Sequence, residues 1–263
     1  MARTSMRNVI RLINDSKQRM APEQQFLHDL KRTIELEEEK NARKPSATYK
    51  PSSMNCIRNM YYQVTGTDPD TTGGSTYTLV GICNSGTDIH IRTQTAIESM
   101  KSNGIDCEYI DVAQFVKQRK LKDLEIKEKS GMETKLYHKK LNMSFMCDGI
   151  IKYKNHYYII EVKTETSNKW WSREGVDEKH YKQGTAYSIA FGIDEVIFLY
   201  INRDVLDMKT FLFVPTDEMK EELIGTIEEC DEYVKKLIAP PKPDNVPKRI
   251  CEWCDYRERC RKS

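Results

Sequence analysis

The run S-F-M-C-D-G-I-I-K-Y-K-N-H-Y-Y-I-I-E-V-K, residues 144–163, constrains this chain more than any other segment. β-Branched and aromatic residues dominate both sides of a polar break, which predicts two strands. A two-residue turn at Lys154–Asn155 would close them into a hairpin. That turn sets Tyr153 opposite His156, and by the same register Asp148 opposite Glu161. Directly opposed residues share a face of the sheet. Glu161 and Lys163 also share a face, because strand side chains alternate with period two. One register therefore gathers Asp148, Glu161 and Lys163, and a slip of one residue would separate them.

Glu161 ends the apolar run Tyr157, Tyr158, Ile159 and Ile160. A charge there points to a site rather than to a solvated face. Two converging carboxylates make a hard oxygen site suited to Mg²⁺ or Mn²⁺. A metal so held can polarise a phosphate and stabilise a leaving oxygen, and a neighbouring Lys can balance charge in the transition state.

The rest of the chain must supply a core around that hairpin. Its 263 residues suffice for one α/β domain with appendages. At 38% hydrophobic and 31% charged, the composition is that of an ordinary folded protein. No stretch approaches the roughly eighteen uninterrupted apolar residues of a membrane span. Residues Met1 to Arg11 hold no apolar export core, so a cytoplasmic location is expected. The net charge of +2 does not announce a polyanion binder. Local basic runs do occur at Lys117 to Lys140 and at Lys248 to Lys262.

Helical composition marks Asn8 to Asn41, with Pro22 opening a second helix. A short helix is expected over Met54 to Val64, capped by Ser52 or Ser53. Gly66 to Ser75 reads as a loop and Gly86 to Met100 as a helix. Lys117 to Leu121 reads as a short strand or loop edge. Strands are expected over Asn142–Tyr153, His156–Thr164, Glu195–Asn202 and Thr210–Val214. Glu178 to Phe191 is helical with Gly192 at its end, and Asp217 to Leu237 is an amphipathic helix. Ala239 to Pro247 holds four prolines and is a linker. The expected fold class is α/β, in three parts: residues 1–75, a core over 76–238, and the segment 239–263.

Three more features bear on chemistry. His90 lies near the head of a predicted helix. Gln183 and Tyr187 are four residues apart on another and share its face. Glu133 stands fifteen residues before Asp148, in a Lys- and Glu-rich context that favours solvent.

The cysteines form the second constellation. Cys251, Cys254 and Cys260 lie within ten residues. In a reducing compartment such clusters favour metal chemistry over disulfides. A closed site needs a fourth ligand, from Cys56, Cys83, Cys107, Cys147 or Cys230. By residue type alone, a four-thiolate zinc site and an iron–sulfur cluster are both open.

The ordered set D-G-I-I-K-Y…I-I-E-V-K-T resembles the signature of PD-(D/E)XK nucleases. G-T-D-I-H before it resembles the G-x-x-x-H of the RecB-like branch, and Q-G-T-A-Y after it resembles that branch's Q-x-x-x-Y. The resemblance implies a restriction-endonuclease-like mixed sheet flanked by helices. It implies that His90, Asp148, Glu161 and the Val162 backbone carbonyl ligate Mg²⁺ or Mn²⁺. It further implies that Lys163 is catalytic, and that Gln183 and Tyr187 position the strand or support the site. Y-K-P-S-S-M-N-C resembles the upstream element of iron–sulfur nucleases in that branch, the CRISPR-associated exonucleases and AddB-type nucleases among them. By that resemblance Cys56 joins Cys251, Cys254 and Cys260 around a 4Fe-4S cluster that staples the chain. Cys83, Cys107, Cys147 and Cys230 are then buried structural thiols, and Trp253 and Tyr256 pack around the cluster or stack on a base.

The expected activity is hydrolysis of DNA, single-stranded or end-containing duplex, by a metal-dependent exonuclease. The absence of G-x-x-x-x-G-K-[ST] argues against a helicase fusion. Two other readings stand beside it. One is a non-catalytic nucleic-acid- or partner-binding protein with a four-cysteine zinc or cluster module, and the other is a redox carrier.

Overall fold

Lys154 and Asn155 both take positive φ, 48° and 65°, the signature of a type I′ turn. The hairpin that they close is the centre of a computed structural model describing residues 21–40, 47–70, 76–130, 133–244, 246–252 and 254–262. The helices are α1 (Pro22–Lys40), α2 (Ile57–Val64), α3 (Tyr77–Glu98), α4 (Val112–Gln118), α5 (Ser167–Trp171), α6 (Tyr181–Phe191), α7 (Asp217–Lys236), α8 (Lys248–Glu252) and α9 (Arg257–Lys262). The strands are β1 (Cys107–Ile110), β2 (Leu124–Ser130), β3 (Glu133–His138), β4 (Met143–Cys147), β5 (Gly149–Tyr153), β6 (His156–Glu165), β7 (Val196–Asn202) and β8 (Met208–Phe213).

The chain divides into two units, residues 1–43 with 73–84, and residues 44–72 with 85–263. In the first unit, the Tyr77 backbone N–H donates to Glu35 and the Lys31 ammonium lies 4.5 Å from the centroid of the Tyr77 ring. The part of the expected helix before residue 21 lies outside the described residues.

The second unit is a mixed α/β core. Five strands form a sheet in the order β1-β5-β6-β7-β8, and β2-β3-β4 form a separate antiparallel meander. Among the strands of the described residues, only β6 and β7 pair in parallel. A parallel pair needs a crossover, and α5 and α6 supply it. The hairpin register is the expected one: Tyr153 opposes His156 and Gly149 opposes Ile160. Residues of alternate parity on β5, β6 and β7 enter two different cores. Ile150, Ile159, Phe198 and Tyr200 join one. Ile151, Ile160, Val162, Leu199 and Ile201 join the other, with Ile89 of α3.

The structure corrects several expectations. Residues 142–153 are not one strand: β4 pairs with β3, β5 pairs with β1 and β6, and Asp148 stands where the chain passes between sheets. Lys117 lies in the last turn of a helix capped by Asp111, whose side chain accepts from the Gln114 N–H. The expected helix from Met54 begins at Ile57 with Cys56 at its N-cap, preceded by a 3-10 turn over Pro51–Ser53. The helix expected from Gly86 begins earlier, at Tyr77. Gly192 ends α6 at φ 64°, as its position predicted. Strands β1, β2 and β3 were not expected at all.

Candidate active site

Asp148 is held from three directions. Its backbone carbonyl accepts from Gln94 Nε2 at 2.6 Å and from the Tyr109 hydroxyl at 2.9 Å. Its carboxylate Oδ2 accepts from the Val162 backbone N–H at 2.6 Å, and Oδ1 faces His90 Nδ1 at 3.3 Å. A strand residue sends its N–H and C=O toward the same side, so the Val162 carbonyl also leaves β6 toward Asp148. Gly149 makes this approach possible, since a Cβ there would stand 2.6 Å from the Tyr109 ring.

Glu161 is buried, at 4% exposure. Its Oε1 accepts from Lys163 Nζ and Gln183 Nε2, both at 2.6 Å. Lys163 Nζ also donates to Gln183 Oε1 at 3.1 Å. Gln183 Nε2 reaches the Tyr187 hydroxyl at 2.9 Å, and that hydroxyl donates to the Met146 carbonyl at 2.9 Å. The helical spacing of Gln183 and Tyr187 thus becomes a relay from β6 to β4. Gly184 brings α6 close to the sheet: a Cβ there would meet the Phe213 ring at 2.8 Å.

The electrostatics follow from this packing. Burial, and next the Asp148 charge, raise the Glu161 pKa, while Lys163 and His90 oppose the rise. Burial works against protonating His90, but its hydrogen bond to Asp148 and the two carboxylate charges outweigh that and raise its pKa. Glu161 Oε2 is buried without a hydrogen-bond partner. A buried carboxylate oxygen in that state costs on the order of 1–3 kcal/mol or more, which a cation beside it would relieve. The donors are oxygens and one imidazole, the chemistry of Mg²⁺ or Mn²⁺. Among the described residues, no three or more His, Cys, Asp or Glu side chains are gathered tightly enough to hold an ion as they stand.

Every site residue expected in the hairpin, on α3 and on α6 therefore lies in one connected set. Glu133 opens β3 within electrostatic reach of Tyr109, outside the hydrogen-bonded set around the carboxylates. Sequence reasoning missed Gln94 and Tyr109. Gln94 follows His90 by four residues, so helical spacing could have pointed to it; Tyr109 had no local signal. It also missed an ion network two residues beyond Lys163. Glu165, 5% exposed, takes both Nε and a terminal nitrogen of Arg173 at 2.6 Å. Arg173 and Lys169 reach Asp177 at 3.3 and 3.2 Å. Burial alone would raise the Glu165 pKa, and these two cations overcome it and lower it.

Cys56, Cys251, Cys254 and Cys260 all line one cavity of about 400 Å³. Burial raises the pKa of Cys56, against the backbone N–H groups of Asn59 and Arg58 that lower it. Burial pushes Cys254 up to about 11. Tyr256 is buried with its ring centroid 5.1 Å from that of Tyr62, so it packs into the core. Trp253 lies outside the described residues. Cys107, Cys147 and Cys230 are buried as expected, but Cys83 is exposed, like residues 81–85 around it.

No helix among the described residues is long and apolar enough to cross a membrane. No family model matches the chain, and no curated protein matches it. Among solved structures, the crystal structure of SSO0001 aligns at a TM-score of 0.48 with 17% identity, over 89% of this chain and 96% of that one. The crystal structure of an alkaline exonuclease (LHK-Exo) from Laribacter hongkongensis aligns at a TM-score of 0.41 with 13% identity, over 76% of this chain and 95% of that one. Likenesses this distant leave the activity to be argued from the chain's own residues.

Proposed function

We propose that this chain is a metal-dependent DNA nuclease, of exonuclease type. The observation that carries the reading is Glu161 Oε2, buried and unpartnered in a carboxylate that binds Lys163 and feels the Asp148 charge. Asp148, Glu161, His90 and the Val162 carbonyl would hold Mg²⁺ or Mn²⁺. Bound there, the ion would supply Lewis-acid polarisation of the scissile phosphate.

The remaining work falls to the chain. Lys163 keeps its ammonium between Glu161 and Gln183, aimed where negative charge develops in phosphodiester hydrolysis. Gln183 fixes both Lys163 and Glu161, and Tyr187 fixes Gln183. Gln94 and Tyr109 hold the Asp148 backbone and are positioning residues.

The four-cysteine cavity is the proposed seat of a 4Fe-4S cluster held by Cys56, Cys251, Cys254 and Cys260. Each thiolate of such a cluster binds a different iron, so its sulfurs stand farther apart than four thiolates on one zinc. What supports the reading is that all four cysteines line one cavity.

The test is digestion of end-labelled single- and double-stranded DNA with Mg²⁺ and Mn²⁺ compared. Cleavage abolished in Asp148→Asn and Lys163→Ala, with folding retained, is the expected result. No cleavage by the wild-type chain under either metal would overturn the reading in favour of a non-catalytic binding protein. Iron and sulfide content after anaerobic purification decides between cluster and zinc.

A further inference from the structure

A second cavity, of about 580 Å³, lies between Lys163 and the cysteine-bearing C-terminal segment. Its walls come from four stretches far apart in sequence: the turn before α2 with α2 itself, the end of β6, the run from α5 to α6, and Arg249, Ile250, Cys254 and Asp255. Four basic side chains line it, Lys163, Lys169, Lys179 and Arg249, against the carboxylates Asp177 and Asp255. His180 adds no charge near neutrality, because burial drops its pKa to about 2.

Asp177 is already engaged, with Lys169 at 3.2 Å and Arg249 at 3.1 Å. Lys179 differs from its neighbours. Among the described residues no carboxylate pairs with it, yet its backbone is fixed on both sides. Its N–H donates to Asp177 Oδ1 at 3.2 Å, and its carbonyl accepts from Asn55 Nδ2 at 2.8 Å. Burial and the Lys169 charge lower its pKa to about 8, outweighing the opposing charges of Asp177 and Glu165.

On α2, Asn59 Oδ1 and Gln63 Oε1 are buried with no hydrogen-bond partner, and both residues line this cavity. They are four residues apart and so share a helix face. Gln63 is only 7% exposed, and its Nε2 is anchored on Ser53 Oγ at 2.8 Å. Two residues carrying unpartnered acceptors thus line the same cavity as an ammonium that makes no ion pair among the described residues. A phosphate alone would satisfy only the cation. A nucleotide satisfies both, because its base and sugar carry N–H and O–H donors.

We propose that this cavity is a nucleotide subsite beside the scissile bond. Lys179 binds the neighbouring phosphate in the positive field of Lys169 and Arg249, while Asn59 and Gln63 accept from the base or sugar. The proposal rests on the nuclease reading, since Lys163 lines this cavity and also belongs to the carboxylate site. The ligand is single-stranded DNA: a volume of about 580 Å³ is that of a pocket for one small ligand, not for a paired duplex.

The test is binding of a fluorescein-labelled single-stranded DNA oligonucleotide, read by anisotropy in EDTA across a salt series. Lys179→Gln is expected to weaken binding about tenfold and to reduce the slope of log K against log salt by about 0.7, one phosphate contact. Lys179→Arg keeps the slope. Gln63→Leu weakens binding several-fold without changing the slope, because it removes no charge. Lys235→Gln, exposed on α7, changes neither. Acetic anhydride labelling of the wild-type chain, read by mass spectrometry, adds an arm that needs no variant: the oligonucleotide should protect Lys179. An unchanged slope in Lys179→Gln with equal labelling of Lys179 overturns the subsite, even if the wild-type chain cleaves DNA. Slope loss and protection in a chain that cleaves nothing would uphold the phosphate pocket and remove the nuclease reading instead.

Discussion

The carboxylate site and the cysteine cavity differ in what holds them. Glu161 and Lys163 are placed by the pairing of β6 with β7, and Asp148, just before β5, is held against β6 by the Val162 N–H. Around them, Gln94, Tyr109, Gln183 and Tyr187 add hydrogen bonds from α3, β1 and α6. The cysteine cavity is assembled from the head of α2 and from α8 and α9, of five and six residues. Helices that short are marginal by themselves. They are tied down by Arg249 on Asp177, by the Arg259 N–H on Asp70 Oδ2 at 2.7 Å, and by Tyr256 on Tyr62. The first region is organised by the fold; the second closes the fold and gains most from a bound group.

That contrast can be broken or sharpened by experiment. The largest effect is expected at the carboxylates. Asp148→Asn should lower DNA cleavage by about 10³-fold, or about 4 kcal/mol of transition-state stabilisation. Its urea midpoint should stay near wild type, because the residue's loss also relieves repulsion with Glu161. A large fall in the midpoint would mean that the site supports the fold rather than the reverse.

Cys56→Ala should show the opposite pattern. If the four cysteines hold the proposed cluster, losing one ligand is expected to cost about 3–4 kcal/mol of stability and to expose residues 248–262 to proteolysis. Unchanged protection of that segment would make the cysteines dispensable to folding.

Gly149→Ala comes next, because a Cβ would meet the Tyr109 ring at 2.6 Å. Overpacking of this kind costs about 1–3 kcal/mol, and it would displace the hydroxyl that holds the Asp148 carbonyl. Chemical denaturation and initial cleavage rate should fall together; a loss of stability alone would detach Tyr109 from the site.

The smallest effect concerns pH. His180 is 8% exposed, with Nδ1 2.8 Å from the Tyr200 hydroxyl. Burial lowers its pKa to about 2 from the ordinary value of 6.5. Below about pH 6.5 the unfolded chain therefore binds a proton that the folded chain refuses, so stability falls as pH drops. The slope should be about 1.4 kcal/mol per pH unit. Urea midpoints at pH 7, 6 and 5 measure it, and His180→Asn should flatten it. An equal slope in that variant would assign it to other groups.

Much of the site was legible because it is local. A tight turn at Lys154–Asn155 sets the register, and register alone decides which side chains share a face. The spacing of Gln183 and Tyr187 likewise placed both on one side of α6. The meander was not legible. In L-E-I-K-E-K and E-T-K-L-Y-H the alternation is present, with Thr134, Leu136 and His138 buried, but Lys and Glu on the outer faces disguise it as a solvated charge run. The split at Asp148 was hidden for a related reason. β4 and β5 are both largely apolar, and what separates them is which partners each finds.

The sequence by itself determined the hairpin, the convergence of Asp148, Glu161 and Lys163, and the end of α6 at Gly192, since each depends on a few neighbouring residues. Only the tertiary structure decided that Gln94 and Tyr109 hold the Asp148 carbonyl, that Arg173 and Lys169 hold Glu165 and Asp177, and that Cys56 shares a cavity with Cys251, Cys254 and Cys260. Those contacts join segments brought together by burial of the two cores on either face of the sheet, and no local propensity encodes which distant side chain such burial delivers.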